Sequence, residues 1–127
     1  MFSHVMVGAH DVDQSKAFYD AVLGALGAKP GFADDKGRVI YVHENAMFMI
    51  TSPINGEPAT HANGGTIGFG AMSPEQIDAW HAAGVANGGT TCENAPGYRE
   101  APFGKYYLAY LRDPAGNKLC ALHRPEQ

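Results

Sequence analysis

The feature that most constrains this chain is an element pattern written twice. Residues Phe2 to Val7 mix β-branched and aromatic side chains and read as a strand. Asp11 or Asp13 can cap the helix that follows, because a carboxylate accepts bonds from the free amides of a first turn. Ala17, Phe18, Ala21, Val22 and Ala25 then recur at helical spacing, until Pro30-Gly31 stops the segment. Two strands follow, Arg38 to His43 and Ala46 to Thr51, with Glu44-Asn45 as the turn between them. Residues 52–65, rich in Pro, Asn and Gly, read as a linker.

After the linker the order restarts. Thr66 to Ala71 is a strand. Ser73-Pro74-Glu75-Gln76 is a helix start, with Ser73 as N-cap, Pro74 at the first helical position and Gln76 completing a capping box. Ile77, Trp80, His81 and Val85 follow at helical spacing and Gly88-Gly89 ends the helix. A short strand near Thr90 to Glu93 precedes a loop holding Pro96, Gly97, Pro102 and Gly104. Tyr106 to Arg112 and Lys118 to His123 are the last strands, joined by Asp113-Pro114-Ala115-Gly116-Asn117. A repeat of roughly 60 residues is too long for a solenoid unit. Neither half could bury a good core alone, so the two are expected to pair as one domain over residues 1–127, with halves at about 1–58 and 64–127.

Composition removes several classes of function. Hydrophobic residues make up 45% and charged residues 17%, a globular balance. The net charge is -4 with no basic run, which argues against nucleic acid as a partner. No apolar stretch approaches the ~20 residues that span a bilayer. Met1-Phe2-Ser3-His4 leads into a strand without a secretory pattern, and Cys92 and Cys120 lack CxxC spacing. A cytoplasmic protein with reduced thiols is the expectation.

Two motifs carry a resemblance. Phe18-Tyr19-Asp20-Ala21-Val22-Leu23-Gly24 looks like the FYxxxLG helix, and Asp113-Pro114-Ala115-Gly116-Asn117 like the DPxGN turn, of the vicinal-oxygen-chelate superfamily. In the turn Asp can bond following amides, Pro fixes φ and Gly supplies φ > 0. The order of the two motifs, inside a duplicated pattern, is more specific than either alone. The resemblance implies an α+β fold of two βαβββ repeats, whose curved mixed sheets surround a small-molecule cleft, and a homodimer.

Enzymes of that superfamily commonly hold a divalent metal on four strands and use it as a Lewis acid. Carried over by position, the four ligand sites fall on His4, Met49, Thr66 and Cys120, where the pattern expects His, Glu, His and Glu. His4 and Thr66 are 62 residues apart (66 − 4), and Met49 and Cys120 are 71 apart (120 − 49). A thioether suits a hard divalent ion poorly, and a threonine hydroxyl is a weak ligand. Both glutamate positions, and with them the expected general base, are lost. The reading is therefore a small-molecule-binding protein of glyoxalase and bleomycin-resistance type with no cofactor. It would sequester an organic ligand or catalyse a metal-independent reaction, with His4 the catalytic candidate.

The expected pocket residues are His4, Met49, Thr66, Cys120, Tyr106 and Tyr107; alternation puts Tyr106 and Tyr107 on opposite faces without saying which faces the cleft. Arg99 and Lys105 read as solvated charge or as partners for an anionic ligand. A divalent metal is the alternative: a glyoxalase-type lyase or isomerase with a relocated site on His4, Cys120 and His61 or His43. A non-catalytic structural or regulatory module is the third reading.

Overall fold

Local rules set both helices. The structure, a computed structural model, describes residues 1–102 and 104–125. Strand β1 (His4–Gly8) leads into helix α1 (Val12–Ala25). Asp11, extended at φ -135° and ψ 108°, is its N-cap and accepts a bond from the Gln14 amide. Helix α2 (Pro74–Ala86) has Ser73 as N-cap and Pro74 at its first position. The Ser73 hydroxyl accepts from the Gln76 amide at 3.1 Å. The Gln76 side chain reaches back one residue further than a standard capping box, and its carbonyl accepts from the Met72 amide at 2.8 Å.

The first half continues with β2 (Phe32–Ala33), β3 (Val39–His43) and β4 (Ala46–Thr51), in a sheet ordered β1-β4-β3-β2. The second half, β5 (Ile67–Gly70), α2, β6 (Thr90–Thr91), β7 (Gly97–Ala101), β8 (Gly104–Arg112) and β9 (Lys118–His123), repeats that order as β5-β9-β8-β6. In both sheets the first strand pairs in parallel with the last and the rest is antiparallel. Two sheets of mixed type with a helix in each half make this the expected α+β, βαβββ arrangement.

Strand β7 stands outside the repeat, within a stretch whose prolines and glycines read as loop. It pairs with the first part of β8, and β6 pairs with the last part. Since β9 already occupies one edge of β8, both lie along the other. Pro96 and Pro102 sit just outside β7, where a missing N–H costs no ladder bond.

Each sheet turns one face to the helices. Val5, Val7, Phe48, Ile50, Val39 and Tyr41 do so from the first sheet, and Ile67, Phe69, Leu119, Ala121, Ala109 and Leu111 from the second. With Phe18, Tyr19, Val22, Ile77 and Trp80 from the helices they form one cluster spanning both halves. Fully burying a side chain of this size stabilises the fold by roughly 1.5–3 kcal/mol. The helices cross closely at Gly84. A Cβ there would lie 2.3 Å from Leu111 Cδ1 and 3.2 Å from both Phe18 and Val22. The offset of 62 that relates His4 to Thr66 also relates Val22 to Gly84 (84 − 22), so a large residue in one half meets its missing counterpart in the other.

The two motifs of the resemblance touch. Tyr19 Oη donates to Asp113 Oδ2 at 2.5 Å, from a ring that is fully buried. Asp113 Oδ1 accepts from the amides of Ala115 and Asn117, and Oδ2 also from Asn117 Nδ2. Asn117 Nδ2 donates in addition to the Gly8 carbonyl at the end of β1. Gly116, at φ 94°, makes the reversal. The turn therefore pins β1 and α1 of the first half to the second. Burial and the nearby Asp113 carboxylate hold the Tyr19 hydroxyl protonated far above its ordinary range. No helix among the described residues is long and apolar enough to cross a membrane.

Candidate ligand site

The two sheets do not join. Among the described residues β1 and β5 each end their sheet with a free edge, and a cavity of about 560 Å³ opens in the seam between them. Leu23 and Leu26 at the end of α1 form one wall, and Tyr41, Met47 and Phe48 another. The residues of β5 close the far side, where Gly68 and Gly70 have nothing within 4 Å of their missing side chains. The walls are apolar and the polar groups sit at the mouth: His4 and Ser3 from the start of β1, His43 and Glu44 from the β3–β4 hairpin. Ser3 Oγ and His4 Nδ1 are 2.8 Å apart, which leaves Nε2 of His4 open. His43 Nε2 lies 3.7 Å from Glu44 Oε1.

Of the six expected pocket residues, His4 lines this cavity and the other five lie elsewhere. Met49 is buried on the face of the first sheet that points away from the helices. Thr66 is exposed just before β5. Cys120 and Tyr106 are buried on the corresponding outer face of the second sheet, with Leu108. Tyr107 is on the helix side, where its hydroxyl donates to Asp78 Oδ1 at 2.6 Å; that bond pushes its pKa up to about 12. Tyr106 and Tyr110 face outward and Tyr107 faces the helices.

The chemistry around Cys120 is that of a protonated thiol. Burial raises its pKa to about 11, with the Tyr110 hydroxyl pulling weakly the other way. Tyr110 sits directly opposite Cys120, with the Lys118 ammonium over its ring. Lys118 is paired with Glu93. Arg99 is occupied by the carbonyls of Ala95 and Tyr98, and Lys105 lies over the Tyr98 ring. His61 leans over Gly116, and a Cβ there would lie 3.4 Å from its own Cβ.

The four positions carried over as metal sites separate into two pairs, His4 with Met49 on the first sheet, and Cys120 on the second sheet with Thr66 just ahead of β5. One imidazole, a thioether, a hydroxyl and a protonated thiol do not fit a hard divalent cation. Among the described residues no three His, Cys, Asp or Glu side chains converge to hold a metal. His43 shares the cavity mouth with His4, a proximity that only the pairing of β3 with β4 and β4 with β1 brings about.

The profile of the glyoxalase/bleomycin resistance protein/dioxygenase superfamily matches residues 1–121. The chain belongs to this superfamily. Within the superfamily, a solved glyoxalase/bleomycin resistance protein from Albidiferax ferrireducens T118 is 64% identical to it, with 98% of this chain and 99% of that one covered and a TM-score of 0.94. A lactoylglutathione lyase from Agrobacterium tumefaciens is 26% identical over 97% of this chain and 92% of that one, with a TM-score of 0.65. A glyoxalase/bleomycin resistance protein/dioxygenase family enzyme from Burkholderia phytofirmans PsJN, at 18% identity, shares the fold at a TM-score of 0.72, covering 95% of this chain and 96% of that one. No curated protein matches the chain.

Proposed function

We propose that this superfamily member binds a small organic molecule in the seam cavity and does so without a hard divalent metal. The observation that carries the reading is the cavity itself: about 560 Å³, apolar in its walls and polar at its mouth. That size and distribution match a site for a compact ligand with an apolar body and one hydrogen-bonding end. His4 and His43 would meet the polar end, as donors or acceptors according to tautomer. Any chemistry at the site would be proton transfer by His4, whose Nε2 is open.

A homodimer belongs to the same reading. Among the described residues β1 and β5 have free edges, and Met6 on β1 and Met72 just after β5 are exposed apolar side chains there. Unpaired edges of this kind are usually covered, and a second copy would cover them.

Thermal denaturation of the full chain against a panel of small organic molecules tests the ligand. Binding at a hundred times Kd adds about 2.7 kcal/mol and raises Tm by several degrees. Ala46→Trp, at the cavity mouth, is expected to abolish the shift without lowering the Tm of the free protein. A panel that moves neither protein overturns the reading. Sedimentation tests the dimer, and a monomer at micromolar concentration refutes it.

A further inference from the structure

The outer face of the first sheet carries a second constellation, which shares His4 and Met47 with the rim of the seam cavity and adds Met6 and Met49. The parallel pairing of β1 with β4 sets His4 opposite Met47 and Met6 opposite Met49. Val5, Val7 and Phe48 face the core, so alternation turns all four of these side chains to the other face. Neighbouring strands are about 4.8 Å apart, and alternate residues of one strand about 6.6 Å. One imidazole and three thioethers therefore stand at the corners of a small rectangle. Methionine has three rotatable bonds, so the three sulfurs can reach a common point above it. Met49 is 7% exposed, Met47 37% and Met6 45%, which grades the group from a floor to a rim open to solvent. The β3 residues paired next to Met47 and Met49 are Val42 and Ile40, so the neighbouring strand adds no carboxylate.

We propose that His4, Met6, Met47 and Met49 form a binding site for a soft monovalent metal ion, of the Cu(I) or Ag(I) class. Soft thioether ligands select Cu(I), and imidazole also suits copper. All four donors are neutral, so the loaded site carries a single positive charge on a half-buried apolar face. A divalent ion would carry two there, and the paired strands β3 and β4 set no carboxylate against these four side chains. Ser3 Oγ at His4 Nδ1 orients the ring and directs Nε2 outward, as an outer partner does for a ligating histidine. Met49, one of the three replacements that remove the hard site, thus joins a donor set of another kind. The inference does not depend on an organic ligand in the seam.

The test uses untagged full-length protein under reducing, anaerobic conditions, with Cu(I) offered as its bicinchoninate complex. One Cu(I) per chain is expected to transfer, and excess zinc or nickel is expected not to displace it. Ag(I), which is redox-inert, is expected to shift the methyl resonances of Met6, Met47 and Met49 and to leave Met72 in place. The double variant Met47→Leu/Met49→Leu conserves volume and should fold. Outer partners of a metal ligand alone are worth about 10–100-fold in affinity, so losing two direct donors should cost at least about 100-fold. A Cys92→Ser/Cys120→Ser variant is expected to bind as the parent does. The proposal is overturned if no Cu(I) transfers, if the cysteine variant loses it, or if the methionine variant keeps it.

Discussion

The two halves share a strand order but solve the same problems with different residues, and the difference shows which contacts the fold depends on. In the first half β3 and β4 are joined by two residues, Glu44 and Asn45, both with positive φ (50° and 64°), the form that matches strand twist. In the second half the equivalent connection is the five residues 113–117, held by one buried carboxylate with four donors. Among the described residues the first turn serves its own hairpin alone. The second also holds Tyr19 and, through Asn117, Gly8, both from the other half. The helices differ in the same sense. Gly24 of α1 has nothing within 4 Å of a Cβ, whereas Gly84 of α2 is where the helices meet. Dependence between the halves is concentrated in the second.

The largest expected effect removes the shared carboxylate. Asp113→Ala leaves the Tyr19 hydroxyl, one N–H of the Asn117 side chain and two amides without their acceptor, and each unsatisfied buried donor costs about 1–3 kcal/mol. Urea unfolding should show a loss of about 3 kcal/mol or more. Asn45→Ala, in the corresponding turn, should cost only the left-handed backbone term of about 1–2 kcal/mol. Equal losses would mean that the two turns carry equal weight, and the asymmetry argued above would fail.

The helix glycines sharpen the comparison further. Alanine is the better helix former by about 1 kcal/mol at an interior position. Gly24→Ala, near the end of α1, should therefore stabilise by about 0.5 kcal/mol. Gly84→Ala makes the same chemical change, yet its methyl enters the space of Leu111, and overpacking of this kind costs about 1–3 kcal/mol. Opposite signs for the two variants in calorimetry are the expected outcome. A stabilising Gly84→Ala would show that the helix crossing has slack.

What was legible in the sequence follows from the same distinction between local and long-range causes. β4 and β9 have the bounds their apolar runs predict, and both helix starts follow from Asp11 and Ser73-Pro74, because capping involves neighbours only. β7 was not legible. Its residues Gly97 to Ala101 read as loop, and they form a strand because β8 offers them an edge. The contact between Tyr19 and Asp113 was not legible either, although both motifs were noticed, since nothing in either one names its partner. At the site, His4 lines the cavity, and His43, which the sequence offers only as one alternative partner in a relocated metal site, is brought to the same mouth by strand pairing. Met49 was read alone. Met6 and Met47 acquire meaning only from the parallel register of β1 and β4, which alternation within a single strand cannot reveal.

The last difference separates the halves by pH. Met49 and Cys120 are equivalent by position, each on the outer face of the last strand of its half, and only the cysteine ionises. Burial raises the Cys120 thiol to about 11, from an ordinary value of 9.0. Between those two values the unfolded chain has released the proton and the folded chain has kept it, so the unfolded state binds fewer protons and stability falls as pH rises. At neutral pH both states are protonated and the group contributes no slope. The stability difference between the wild type and Cys120→Ala should therefore be constant up to about pH 8 and shift against the wild type from there to pH 10. Met49→Leu should run parallel to the wild type throughout. If Cys120→Ala also runs parallel, the thiol ionises as freely in the fold as out of it, and the outer face of the second sheet is open to water.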